Sequence, residues 1–99
     1  MCKNVTAKAR TGLYKGFIDH NGIINFLGIK YVQTPKRWKR AQELLPSNQM
    51  IEAIEFGPIC PQTILPEEHA IDTPMSEDCL TLNIWTDNID EKGKPVMVW

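Results

Sequence analysis

The stretch MSEDCLTLNIW, residues 75–85, decides how the rest of the chain is interpreted. Its apolar side chains Leu80, Leu82 and Ile84 recur at every second position, which is the period of a strand with one buried face. Glu77 and Asp78 are adjacent, so in an extended backbone they point in opposite directions and cannot share a proton. The stretch therefore predicts a capped or ion-paired turn that leads into a half-buried strand.

Upstream of this strand, the first third of the chain predicts a small antiparallel meander. The segment AKARTGLYKGFI, residues 7–18, reads as extended, and DHNG, residues 19–22, supplies turn chemistry through Asn21 and Gly22, which tolerate positive φ. The segment IINFLGIKYV, residues 23–32, is rich in β-branched and aromatic residues and predicts the return strand.

The middle of the chain predicts coil, with at most one short helical turn. Prolines interrupt residues 34–62 too often for a longer helix. They are Pro35, Pro46, Pro58 and Pro61. Residues 61–77 continue as a proline-rich loop that is longer than most connections.

The last segments predict a polar turn followed by a fully buried strand. The turn is TDNIDEKGK, residues 86–94, and the strand is PVMVW, residues 95–99, which is apolar without alternation. Such a strand is typical of a sheet that helices cover on both faces. No long amphipathic helix is evident in the sequence, so the covering layer is expected to come from elsewhere.

Composition limits the classes of protein that fit. The chain has 99 residues and a formal net charge of -1, which allows at most one small domain and gives no general affinity for nucleic acid. The basic run KRWKR, residues 36–40, has an aromatic side chain suited to nucleic acid contact, with a solvated turn as the alternative. We expect no nucleic acid partner, because no other segment is basic enough.

Cysteine spacing and hydropathy argue against a zinc-binding, a membrane-spanning or a secreted protein. Cys2, Cys60 and Cys79 show no C-x-x-C spacing, so no zinc site is expected, and no other metal constellation is visible. No cofactor is expected either. No stretch approaches the roughly 18 apolar residues of a membrane span, and the sequence as given starts without the apolar core of a signal peptide. The expected location is therefore the cytoplasm, and the sequon at Asn4 is interpreted as chance.

Residue chemistry alone identifies no active site. His20 lies in the turn of the meander, and His69 follows Glu67 and Glu68 in the long loop, where solvent exposure is the default. The serines, Ser47 and Ser76, do not lie in a G-x-S-x-G elbow, and no glycine-rich oxyanion or phosphate loop is present. The expected catalytic set within this chain is empty.

The quoted stretch nevertheless resembles a family signature. SEDCLTLNIW is similar to the S-E-D-C-L-x-L-N-[IV]-[WYF] motif of the type-B carboxylesterases, which include cholinesterases and para-nitrobenzyl esterases. The segments NFLGIKYV, FGPICPQ and KPVMVW, at residues 25–32, 56–62 and 94–99, resemble further family segments in the same order. Two departures stand out: Lys30 replaces a usual proline, and QTPKRW, residues 33–38, shortens the usual run before the Arg-aromatic pair.

This resemblance implies the N-terminal part of an α/β hydrolase. Residues 1–99 would belong to a single carboxylesterase domain and stop before its oxyanion loop, with the serine triad beyond Trp99. The implied parent hydrolyses small carboxylic esters, and the implied partner of this segment is the remainder of its own polypeptide. An alternative is a relative that keeps the scaffold for binding or adhesion and has lost the nucleophile.

The resemblance also implies two structural pairs. In the family, the signature glutamate pairs with the arginine of the Arg-aromatic motif, which here suggests Glu77 with Arg37. Many members join the cysteines that correspond to Cys60 and Cys79 in a disulfide, which would enclose the long loop. A reducing cytoplasm would keep these two thiols free in the cell.

Overall fold

A computed structural model of the chain describes residues 3–63 and 74–98. In these ranges the regular structure is a five-stranded sheet without helices. The strands are β1 (Lys3–Ala9), β2 (Gly12–Ile18), β3 (Ile24–Lys30), β4 (Met50–Glu52) and β5 (Thr81–Thr86). The predicted character of the chain, short strands joined by loops, is confirmed.

The first three strands form the predicted antiparallel meander. β1 pairs with β2 from Lys3↔Ile18 to Ala9↔Gly12, whereas β2 pairs with β3 only at its end, through Phe17↔Asn25 and Ile18↔Ile24. Past that point β2 and β3 diverge, and this leaves a gap between them.

β4 fills this gap, and the prediction of coil was wrong there. It runs parallel to β2 with Tyr14 opposite Ile51. Just beyond it, the Ala53 N–H donates to the Lys15 carbonyl at 2.8 Å, and the Ala53 carbonyl accepts from the Leu27 N–H at 2.8 Å. Ala53 is only 1% exposed, in a core with Tyr14, Ile24 and Phe26, so a small residue fits between the separating strands.

β5 completes the path β1-β2-β3-β5 by pairing antiparallel with β3. The register shifts between Phe26 and Ile29, where Gly28 has a φ of 69°. A Cβ at Gly28 would collide with the carbonyl oxygen of Glu55. Glycine is therefore required there by both conformation and space.

Two predictions about burial need correction. Leu82 and Ile84 lie on the predicted apolar face of β5 yet are 38% and 46% exposed, because nothing within the described residues covers that face. Residues 95–98 form no strand, and Val96, Met97 and Val98 are exposed. A central strand needs hydrogen-bonded neighbours, and the described part of the chain provides none for this segment.

Two further expectations concern the middle loops. Around Trp38, where at most one short helical turn was expected, the chain forms a β-turn closed by a hydrogen bond from the Lys39 N–H to the Lys36 carbonyl at 3.0 Å. Trp38 lies in this turn with a φ of 68°. Most of the predicted long loop at 61–77 falls outside the described residues.

Candidate functional site

The signature segment, defined here as residues 76–83, begins with a side-chain-stabilised turn. The Ser76 hydroxyl accepts a hydrogen bond from the Asp78 N–H at 3.0 Å, a local pattern that favours a turn over a continuing strand. The Ser76 N–H donates to the Ile59 carbonyl, and the Ile59 N–H donates to the Pro74 carbonyl. These bonds hold the turn against residues near Cys60.

Glu77 forms an ion pair with Arg37, the partner that the family resemblance implies. The Arg37 Nε lies 2.5 Å from the Glu77 Oε1, and this hydrogen bond raises the pKa of Arg37. The two side chains are 72% and 54% exposed within the described part of the chain. Here the pair is a surface pair, which contributes little to stability unless further structure covers it.

Asp78 contacts two other residues, Thr34 and Lys30. Its carboxylate accepts a hydrogen bond from the Thr34 hydroxyl and lies 3.0 Å from the Lys30 ammonium. The Thr34 hydrogen bond, and then Lys30, lower the pKa of Asp78. Sequence reasoning missed this contact, because no local pattern links Asp78 to Lys30, the residue that departs from the family's usual proline.

Cys79 is joined to Cys60 by a disulfide, with the two Cα atoms 5.2 Å apart. This separation lies inside the range of about 7 Å that a bridge allows. Gly57 makes the approach possible, because a Cβ there would lie 2.8 Å from the Thr81 hydroxyl oxygen. The bond links the 56–60 segment to the start of β5 and encloses the loop between the two cysteines.

The last part of the signature segment is anchored to β3. The Leu80 carbonyl accepts from the Tyr31 N–H at 3.4 Å, and the Asn83 side-chain oxygen accepts from the Gly28 N–H at 2.9 Å. Asn83 therefore satisfies a backbone donor that the β3 irregularity leaves without a ladder partner.

Taken together, the signature segment is bonded to three other parts of the chain. Its partners lie in β3, in the 34–37 loop and in the 56–60 segment, where Ile59 and Cys60 both bond to it. Local rotation of this segment would break several of these contacts at once. The arrangement can fix the position of a neighbouring group, and it offers no reactive group of its own.

No catalytic machinery is assembled in the described residues. The Ser47 and Ser76 hydroxyls accept hydrogen bonds from the N–H groups of Gln49 and Asp78, and neither contacts a histidine in residues 3–63 and 74–98. His20 is exposed in the β2–β3 turn. The other candidates, His69, Glu67 and Glu68, lie outside the described residues.

Within the described ranges, no cluster of histidine, cysteine, aspartate or glutamate side chains could hold a metal ion. In the same part of the chain, no helix has the length and hydrophobicity needed to cross a membrane.

Comparison with known proteins defines the class to which this arrangement belongs. A model of the carboxylesterase family matches residues 3–99. A phenmedipham hydrolase of Pseudarthrobacter oxydans is 37% identical over 87 residues, covering 80% of this chain and 18% of that enzyme. An acetylcholinesterase of Danio rerio is 39% identical over 93 residues, covering 82% of this chain and 15% of its own length.

Solved structures show the same relationship. The structure of a thermophilic para-nitrobenzyl esterase superposes with a TM-score of 0.71 at 28% identity, covering 85% of this chain and 18% of the esterase. The strands and loops described above are thus those of an α/β hydrolase. The chain belongs to the carboxylesterase family, and it spans less than a fifth of the length of these relatives.

Proposed function

We propose that this chain is the N-terminal part of a serine carboxylesterase, and that residues 1–99 precede the oxyanion loop of a single α/β hydrolase domain. Membership of the carboxylesterase family supports this proposal. The small share of each relative that the chain covers supports it as well. The polypeptide that carries the chain together with the triad is called the complete polypeptide below.

The proposed reaction is ester hydrolysis through an acyl-enzyme. A serine hydroxyl attacks the acyl carbon of the ester while a histidine accepts its proton, and backbone N–H groups stabilise the oxyanion. Water then hydrolyses the acyl-enzyme. All of these groups would lie after Trp99 in the order typical of this fold.

The contribution of this chain is positional. Catalytic groups must be held to within about 0.5 Å of their productive geometry, which requires a supporting shell that does not rotate or slide. The observation that carries the proposal is the anchoring of the signature segment, in which Glu77, Asp78 and Asn83 each bond to a different residue whatever the redox state of Cys79. A strand fixed in this way can aim the segment that follows it.

The proposal also covers the substrates and the cellular location of the protein. The substrates would be small carboxylic esters, since the relatives carry names such as para-nitrobenzyl esterase. The location would be the cytoplasm, and the partner would be the remainder of the same polypeptide.

Turnover of para-nitrophenyl acetate by the complete polypeptide tests the proposed activity. We expect hydrolysis well above that of a boiled control, and we expect a serine-directed phosphonate to abolish it. A folded polypeptide without turnover would instead support the alternative of a binding or adhesion relative that has lost its nucleophile.

A further inference from the structure

The turn between β2 and β3 contains the only Asn-Gly pair of the chain. The sequence has six asparagines. Asn21 precedes Gly22, and each of the others precedes a residue with a larger side chain: Asn4, Asn25, Asn48, Asn83 and Asn88. An asparagine side chain can be attacked by the backbone nitrogen of the next residue. A bulky next residue hinders this attack, whereas glycine does not.

The structure leaves the Asn21 side chain accessible. Asn21 is exposed, and its side-chain amide forms no hydrogen bond with any described residue. Gly22 has a φ of 80°, and a Cβ built on it would meet no atom within 4 Å. Neither packing nor hydrogen bonding therefore shields the Asn21 amide or the approach to it.

One contact restrains the attacking nitrogen. The Gly22 N–H donates to the Asp19 carbonyl at 3.0 Å. The Asp19 carboxylate holds the surrounding turn by accepting from the N–H groups of Asn21 at 2.9 Å and Ile23 at 3.1 Å. The turn has to open before the Gly22 nitrogen can lose its proton and approach the Asn21 side chain.

We propose that Asn21 is a site of spontaneous deamidation, at which the Gly22 nitrogen attacks the side-chain carbonyl carbon and the Asp19 turn limits the rate. A bond forms between the Gly22 nitrogen and Asn21 Cγ, and the Cγ–Nδ2 bond breaks. Ammonia leaves with the proton from the Gly22 nitrogen. Water then opens the resulting succinimide at either carbonyl and yields aspartate or isoaspartate.

Either product weakens the hairpin. Aspartate places a second carboxylate beside Asp19, and isoaspartate adds a methylene group to the backbone of the turn. The β2–β3 ladder contains only Phe17↔Asn25 and Ile18↔Ile24, and Asn25 also depends on Asp19 through a 3.0 Å hydrogen bond. Deamidation of Asn21 would therefore lower the folding stability of the protein as it ages. This effect is independent of any catalytic activity.

Peptide mapping by mass spectrometry after incubation of the purified complete polypeptide at mildly alkaline pH tests the site. We expect the amide-to-acid mass change at Asn21 before it appears at the other five asparagines, which serve as internal controls. Equal conversion at all six, or an unchanged Asn21 in native buffer alongside conversion in denaturant, would overturn the proposal.

Substitution of Asp19 tests the control of the rate. Asp19→Ala is expected to accelerate conversion of Asn21 several-fold in native buffer and to leave the rate in denaturant unchanged. Asp19→Asn keeps one acceptor oxygen and is expected to have a smaller effect. Asp90→Ala, a remote exposed carboxylate, is the matched control. Equal native rates for all of these variants and the wild type would exclude the Asp19 turn as the limiting element.

Discussion

Glu77 and Asp78 are neighbours in sequence but have separate partners, although the turn at Ser76 that holds them is not an extended strand. Glu77 pairs with Arg37, whereas Asp78 binds Thr34 and Lys30. The residues alone predicted an ion-paired turn here but not its partners. Arg37 was suggested by family resemblance, and Lys30 was missed because a contact 48 positions apart leaves no local pattern.

The lowered pKa of Asp78 predicts a specific dependence of stability on pH. Its carboxylate stabilises the folded state above the unfolded-state value of 3.8, and this contribution is lost as the pH falls through the lower folded-state pKa. In the complete polypeptide, the difference in melting temperature between the wild type and Asp78→Asn should therefore be full near neutral pH and shrink in acid. Asp90→Asn serves as the control, and a difference that does not vary with pH would refute this role of Asp78.

The redox state of the Cys60–Cys79 pair depends on where in the cell the protein is located. A cytoplasmic protein should keep the two thiols reduced in the cell and form the disulfide on exposure to air. Rapid alkylation of a cell lysate followed by mass spectrometry should find both cysteines alkylated. A predominantly cross-linked pair would instead indicate export. In the air-oxidised complete polypeptide, reduction of the bond should destabilise the fold by about 3 kcal/mol, as expected for a loop of this length.

At the level of elements, the meander and β5 could be predicted because their signals are local. Alternating apolar residues and the Asn21-Gly22 turn lie within the strands or between them. β4 was missed because it has three residues and pairs in parallel with β2, far away in sequence. The strand predicted at 95–99 was wrong for the described residues, since an apolar run cannot form a ladder without a neighbour.

Two glycine substitutions test the irregularity in β3. Urea unfolding of the complete polypeptide measures the stability that each one loses. Gly28→Ala and Gly22→Ala both place alanine at positive φ, which costs about 1–2 kcal/mol. Only Gly28→Ala also forces a Cβ against the Glu55 carbonyl, and such overpacking adds about 1–3 kcal/mol. Equal losses of stability would show that the contact with Glu55 is unimportant.

At the scale of the whole molecule, the described residues leave large apolar side chains uncovered. Leu82, Ile84 and Trp85 on β5 are exposed, as are Val96 and its neighbours near the end of the described residues. Related enzymes are more than five times as long as the matched segment. The helical layers of an α/β hydrolase would account for the covering that these side chains lack.

Residues 1–99 expressed alone are therefore expected to be poorly ordered and prone to aggregate. They are also expected to be inactive toward para-nitrophenyl acetate. Differential scanning calorimetry and amide NMR of a dilute sample check the first expectation. A cooperative transition with dispersed resonances would show that the exposed faces need no further layer.

The most direct test of the central claim is to locate the residue that a fluorophosphonate modifies in the complete polypeptide. Peptide mapping by mass spectrometry should find the phosphonate on one serine after Trp99, in a G-x-S-x-G sequence, with loss of ester hydrolysis in proportion to labelling. A label on Ser47 or Ser76, or a folded polypeptide that neither reacts with the phosphonate nor hydrolyses esters, would contradict the assignment of this chain as the scaffold of a serine carboxylesterase.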